Sequence, residues 1–389
     1  MLDFVYNTPT TVHFGRGKEK EIGKIINSYG YKKIMIQYGK GSVIKSGLYD
    51  TVVNSLKEYG IEFVDFGGVE PNPKIEFVRD AVKVAKDTGV EMILAVGGGS
   101  VIDSSKYTAL GVKADCDVLD FPLGKAVPKD ALPVGCILTI AAAGSEMSSS
   151  AVITDLTTSK KKGCSTEFNR CKFAIMNPEL TFSVSKYQTA CGIVDIMSHT
   201  LERYFTVCPP TDLTDRISES ILKSVIACGK VLMVEPENYD ARANVMWASS
   251  LSHNGLTGCG RENFLAVHQL EHAVSGEYDH VAHGAGLAVL FPAWAKYVYK
   301  ANIARFAQFA RRVWDVVEDD DTLAAEKGIK AMADYFAFLG MPTKLRDFNI
   351  PKDSIDKLSD LCTNGKTRVI KNYIPLGFNE VKEIFESCY

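Results

Sequence analysis

The 389-residue sequence has no apolar run long enough to span a bilayer, and its first residues, Met1-Leu2-Asp3-Phe4-Val5-Tyr6, lack a basic segment leading into a long apolar one. A cytoplasmic protein without membrane contact is the expectation. An excess of one charge is missing too: 44 Lys and Arg against 47 Asp and Glu leave a net charge of −3, and Lys160-Lys161-Lys162 is only a short basic run. Such a chain offers nucleic acid no electrostatic footprint. The ten cysteines stand singly, without a C-x-x-C pair. That excludes a compact disulfide framework and reads as reduced, mostly buried small residues, Cys191 and Cys259 included. Internal repeats, low-complexity tracts and flexible linkers are absent as well.

Histidine is scarce, seven in all, yet His253, His268, His272, His280 and His283 fall in one short stretch. Upstream, Asp195 and His199 stand at i and i+4, as do His268 and His272, and His283 precedes Gly284. Residues four apart lie above one another on one helix face, so each pair can present two side chains to a common point. A carboxylate with imidazoles and no thiolate suits a borderline divalent ion such as Fe, Zn, Mn or Ni. Three or four protein ligands leave a position open, and an open position on a Lewis acid is what a substrate oxygen needs.

The length favours two domains. In the first half, strand-like and helix-like segments alternate: strands over Lys33–Tyr38, Glu62–Phe66, Glu91–Val96 and Pro133–Ile140, helices over Gly47–Tyr59 and Lys74–Thr88. This predicts a mostly parallel α/β sheet over residues 1–185. From about Lys186 to residue 389 the strand signals fade, and Ile217–Met233, Ala241–Ser252 and Asn302–Val317 carry helical periodicity, so the second domain is expected to be helical. Within the first half, the strand ending at Val96 runs through Gly97-Gly98-Gly99-Ser100 into a helix starting Val101-Ile102-Asp103. Glycines there let backbone N–H groups approach phosphate oxygens, and the positive helix N-terminus favours an anion. The run is not the G-x-G-x-x-G fingerprint, and a triple glycine can also be a simple tight turn.

Taken in order, Gly97 to Asp103, Thr139 through Gly144-Ser145-Glu146, Asp195-x-x-x-His199, and His268-x-x-x-His272 leading to His283-Gly284 resemble the iron-containing, group III alcohol dehydrogenases along essentially the whole chain. Within that group, His268-Gln-Leu-Glu-His272 and the run from Gly284 to Trp294 look most like bacterial NADPH-dependent butanol dehydrogenases. The resemblance implies a Rossmann-like dinucleotide-binding domain followed by an all-α domain, with metal and substrate in the cleft between them. It implies NADP(H) or NAD(H) as cofactor, one divalent metal (Fe²⁺ first, Zn²⁺ second), a small alcohol or aldehyde as substrate, and a homodimer.

Carried over residue by residue, the metal ligands are Asp195, His199, His268 and His283. One departure is visible: Asp279 to His283 looks like a one-residue insertion relative to the family pattern, so His280 competes with His283, and Gly284 favours the latter. His272 is then a non-ligand near the nicotinamide, able to relay a proton. Gly97, Gly98, Gly99 and Ser100 hold the pyrophosphate, Asp103 faces the nicotinamide end as a second catalytic candidate, and Thr139, Lys161 and Leu180 line the cofactor site. Asp103 also reads as a helix-start carboxylate favoured by the macrodipole, and Lys161 as part of a solvated basic turn. In the first βα turn, Tyr38-Gly39-Lys40-Gly41-Ser42, no acid is present where one would bind the ribose hydroxyls. Gly39 leaves room for a 2′-phosphate, with Lys40 and Ser42 as its partners, so NADPH is expected over NADH. Rival readings are a glycerol dehydrogenase-like or other polyol enzyme of the same fold, a dehydroquinate synthase, a metal-dependent hydrolase, and a metal storage protein that saturates its ligands.

Overall fold

The computed structural model describes residues 1–158 and 160–389. The chain forms two compact units, Asn7–Ser183 and a second made of Val184–Tyr389 together with Met1–Tyr6. The first six residues thus leave the unit expected to hold residues 1–185; the Leu2 N–H bonds the Gly260 carbonyl at 2.9 Å.

The sheet unit contains β1 (Thr11–Phe14), β2 (Lys33–Gly39), β3 (Glu62–Val69), β4 (Met92–Gly97), β5 (Val134–Leu138) and β8 (Phe173–Met176) in one parallel sheet, ordered β1-β8-β5-β4-β2-β3. Helices α1 (Ile22–Ser28), α2 (Ser42–Lys45), α3 (Leu48–Glu58), α4 (Ile75–Thr88) and α5 (Gly99–Val112) connect the strands. Strands β4 and β5 are buried throughout and β2 from Ile34 to Tyr38, because both faces of a parallel sheet are covered. Ile22, Ile26, Val52 and Leu56 of α1 and α3 pack with Ile34, Ile36, Leu94 and Ile137. A second cluster gathers Ile75, Val78, Tyr107 and Leu110 of α4 and α5. A separate antiparallel pair, β6 (Ser150–Asp155) with β7 (Lys160–Ser165), takes up the Lys160–Lys162 run, so Lys161 stands on a strand instead of in a solvated turn. Neither this pair nor the four-residue β1 and β8 was anticipated: β1 and β8 are too short for alternation to declare itself, and β7, which opens with three lysines, carries no apolar run.

The order of the strands identifies where a ligand belongs. From β2 the chain moves outward to β3, and from β4 it moves the other way to β5, so the sheet changes direction between the neighbours β2 and β4. In open α/β sheets, ligands bind beyond the carboxyl ends of the strands at this switch point. Those ends are Gly39 and Gly97.

The helical unit runs through α6 (Lys186–Tyr204), α7 (Asp212–Val234), α8 (Tyr239–His253), α9 (Ala266–Glu277), α10 (His283–Val298), α11 (Ile303–Val313), α12 (Asp321–Phe338), α13 (Ser354–Thr363) and α14 (Phe378–Ser387). Helix α11 stops four residues before the expected Val317; Asp315 adopts a left-handed φ of 55°, which an α-helix does not continue through. The Ser185 hydroxyl starts α6 by accepting the Gln188 N–H at 3.2 Å. From Thr189 to Tyr204 every residue of α6 is buried, because α7, α8, α9 and α10 all pack on it. Phe205 then stacks on Phe306 at 4.2 Å between centroids, in an aromatic cluster with Phe291, Trp294 and Phe309.

Candidate metal and dinucleotide sites

Three helices bring the metal-ligand candidates together. Asp195 and His199 lie on one face of buried α6, His268 is in the first turn of α9, and His283 is the first residue of α10. The His283-Gly284 step has a packing reason: a Cβ on Gly284 would stand 2.1 Å from the Cys191 carbonyl oxygen of α6. Only glycine lets α10 begin that close to α6, one turn from Asp195.

The ring Nε2 atoms of His199, His268 and His283 stand 3.4, 3.5 and 3.8 Å from the single oxygen Oδ1 of Asp195. Two donors each about 2.1 Å from one tetrahedral ion would be separated by about 3.4 Å. Asp195 Oδ1 and His268 Nε2 are also buried without a hydrogen-bond partner, a costly state for polar atoms unless something else binds them. The donor set, the spacing and these orphaned atoms fit a divalent cation.

Electrostatics favour the same ion. Burial depresses the His199 ring well below its ordinary pKa, with His253 and His268 adding to the effect, so it is neutral and able to ligate. Burial also works against the His268 cation, yet the Glu202 and Asp195 carboxylates prevail and push its pKa up to about 9. The pocket asks for positive charge, which a proton or a metal can supply. The Cys191 thiol, pushed up to about 12 mainly by burial, stays protonated and a poor ligand.

Two carboxylates that the sequence reading did not single out stand behind these rings. Glu202 hydrogen-bonds His268 Nδ1 and accepts the N–H groups of Val267 at 2.5 Å and His268 at 3.3 Å, while Glu271 hydrogen-bonds His283 Nδ1 and accepts the Ser275 hydroxyl at 3.2 Å. His253, also unassigned from sequence, packs its ring against that of His199 at a tilt of 40°, centroids 4.0 Å apart, and its Nδ1 accepts from Arg203 at 2.8 Å. His272 lies beside the ligand candidates, its ring 5.6 Å from that of His283 and 6.4 Å from that of His268, and is partly exposed. His280 is placed elsewhere, its Nε2 2.9 Å from the Phe348 carbonyl oxygen. Val267 and Leu270 belong to the core, fully buried.

In the sheet unit, the glycine run turns from β4 into α5. A Cβ on Gly97 would lie 2.5 Å from Val101 Cγ2, and one on Gly98 2.3 Å from Ile140 Cγ2, so backbone alone can occupy this turn. Gly98 precedes α5 in an extended conformation with no side chain capping the helix, and Gly99 and Ser100 form its first turn. Thr139, just past β5, donates its N–H to the Gly97 carbonyl at 3.1 Å and so borders the same turn. Asp103, the second catalytic candidate, accepts the Ser145 hydroxyl at 2.5 Å and the Val152 N–H at 2.9 Å, which ties the segment after β5 to α5. Buried Lys106 adds to that tie by donating to the carbonyls of Ser145, Ser148 and Ser150 at 2.7, 3.1 and 2.8 Å. Lys161 donates to Asn72 Oδ1 at 3.0 Å, and Leu180 packs on the apolar cluster under α1 and α3.

At the other side of the switch point, Gly39 closes β2 and Ser42 opens the short α2. A Cβ on Gly39 would meet only the Val69 carbonyl oxygen, at 3.6 Å, so the space beside it is open. Lys40 is ion-paired with Glu70 at the end of β3. The turn itself holds no acid, but the fold brings one against its lysine.

Comparison with known proteins matches the model described as iron-containing alcohol dehydrogenase over residues 9–178, and the C-terminal model of the Fe-containing alcohol dehydrogenase family over residues 189–389. The chain is 40% identical to NADH-dependent butanol dehydrogenase A of Clostridium acetobutylicum over the full length of both. It is 36% identical to the NADPH-dependent aldehyde reductase YqhD of Escherichia coli, over 96% of each. Among solved structures, NADH-dependent butanol dehydrogenase A of Thermotoga maritima superimposes with a TM-score of 0.96 at 39% identity, covering 100% of this chain and 99% of that one.

Proposed function

The chain belongs to the iron-containing alcohol dehydrogenase family, and from that premise we propose that it interconverts short-chain primary alcohols and aldehydes, butanol and butanal among them, with NADPH preferred over NADH. As a member it is a metal-dependent, nicotinamide-linked oxidoreductase. The observation that carries the reading is the convergence of three imidazole nitrogens on one buried carboxylate oxygen.

Asp195, His199, His268 and His283 hold the divalent ion, iron(II) before zinc. When bound, the ion supplies a Lewis acid for the carbonyl oxygen and the nicotinamide supplies the hydride. Burial of Asp195, His199 and His268 keeps water from competing for the donor atoms and strengthens their electrostatic interaction with a bound cation. His272, partly exposed and adjacent to the ligand rings, passes a proton between solvent and the substrate oxygen. Gly97 to Ser100 and the first turn of α5 receive the pyrophosphate, and Asp103 and Lys106 hold the neighbouring segment in place. Gly39, Ser42 and Lys40 receive the 2′-phosphate, which competes with Glu70 for Lys40, so the preference is modest.

Aldehydes of increasing chain length, assayed with NADH and NADPH on protein of measured metal content, test this reading. Butanal-dependent NADPH oxidation should exceed that with NADH, and His272→Asn should keep its metal while turnover falls and its pH profile changes. A wild-type preference for NADH would overturn the cofactor assignment; unchanged kinetics of His272→Asn across pH would remove its proton role.

A further inference from the structure

We infer that Glu202 and Glu271 are positioning residues that set metal affinity, each holding the ligand histidine of the next ligand-bearing helix in the orientation the ion requires. The inference rests on the ligand set proposed above.

Glu202 lies on α6, on the same face as Asp195 and His199, at i+7 and i+3. Its carboxylate reaches the start of α9, where one oxygen takes the Val267 N–H and the other takes both the His268 N–H and the His268 Nδ1. It therefore acts twice. Leu265, which precedes α9, has a left-handed φ of 49° and no side-chain cap, so the helix begins strained and with buried N–H donors that have no partner within the helix. The Glu202 carboxylate supplies the missing acceptor and places negative charge at the positive end of α9. The same group leaves the proton of His268 on Nδ1, which frees Nε2 toward Asp195.

Glu271 repeats the device one helix further on. It lies on α9, three residues after His268, and its Oε2 holds His283 Nδ1 at the start of α10. Space for it is made by Gly286, where a Cβ would stand 2.9 Å from Glu271 Cγ and 3.0 Å from its Oε1. The ligand helices are thus chained: α6 orients the ligand on α9, and α9 orients the ligand on α10. His199 is held otherwise, its Nδ1 without a hydrogen-bond partner and its ring between those of His253 and His268 at 4.0 and 4.2 Å.

The two glutamates differ in how they should respond to amide substitution. Glu271 accepts from both His283 and Ser275 through Oε2, a task that a glutamine oxygen can perform. Glu202 uses both oxygens as acceptors, and a glutamine NH₂ would face an N–H donor at one of them.

Zinc affinity of the full-length metal-free protein, measured by competition with a chromogenic chelator, tests this, with the visible spectrum of the cobalt(II) form as a second readout. Removing such an outer carboxylate costs on the order of 10- to 100-fold in metal affinity, which is the loss expected for Glu271→Ala and for Glu202→Gln. Glu271→Gln should stay within about threefold of wild type with a near-native cobalt spectrum, because the acceptor is kept. Wild-type affinity in both Glu271→Ala and Glu202→Gln, while His199→Ala loses zinc, would overturn the inference and leave the ligand set standing. A folded Glu271→Gln that binds as weakly as Glu271→Ala would also overturn it. Zinc retention by His199→Ala at wild-type affinity would overturn the ligand set itself.

Discussion

In the sheet unit the candidate ligand surface is made by withholding side chains, whereas in the helical unit it is made by converging them. Gly97 and Gly98 leave bare backbone at the end of β4 because Val101 and Ile140 already fill the space where a Cβ would go. Asp195, His199, His268 and His283 come from three helices and meet around one oxygen. A glycine turn is built from consecutive residues and needs only its strand and helix to be correctly placed. A convergent cluster needs the packing of α6, α9 and α10 to be right, and glycine enters it only to permit close approach, at Gly284 and Gly286. The difference teaches that substitution should act in opposite senses: the helical site fails when a side chain is removed, the sheet site when one is added.

His199→Ala offers the strongest test of that contrast. It should abolish metal retention and lower kcat/KM on the order of a thousandfold, about 4 kcal/mol of transition-state stabilisation, with dinucleotide binding preserved. Metal analysis and cofactor titration on one preparation check both halves; loss of cofactor binding together with the metal would break the separation. Gly98→Ala should do the reverse, weakening NADPH binding by roughly 10- to 100-fold while metal content stays at the wild-type level, since the new methyl must displace Ile140 or the turn. Normal NADPH affinity in that variant would mean that the turn yields at little cost. The smallest effect is expected for Gly39→Asp, where space is open: the ratio of kcat/KM for NADPH over NADH should shift about tenfold toward NADH as the new carboxylate meets the ribose hydroxyls and repels a 2′-phosphate. An unchanged ratio would place the 2′-phosphate elsewhere.

What was legible in the sequence follows the same division. Strands β2 to β5 and helices α3 and α4 carry enough consecutive apolar residues or periodic turns to be read directly, and Gly97–Ser100 is contiguous. The ligand pairs were legible because α-helical spacing writes Asp195/His199 and His268/His272 as i, i+4, although the second pair contributes one ligand candidate and one neighbour. Glu202 and Glu271 were overlooked since a glutamate on a helix is common and only the fold shows that these two are buried, at 2% and 0% side-chain exposure. The pattern D-x-x-x-H-x-x-E around Asp195 and H-x-x-E-H around His268 was the available signal. Glu70 escaped for a different reason: it is distant in sequence from Lys40, and only the pairing of β2 with β3 brings it near.

The uninterrupted burial of α6 from Thr189 to Tyr204 bears on time as well as on place. Amides of a helix enclosed on every side exchange with solvent only when a large part of the domain opens, whereas helix ends and surface loops fray freely. Asp195, His199 and Glu202 lie on that slow segment, so their backbone amides should be among the last in the helical unit to exchange, keeping the candidate donor atoms in register while the segments around them fray.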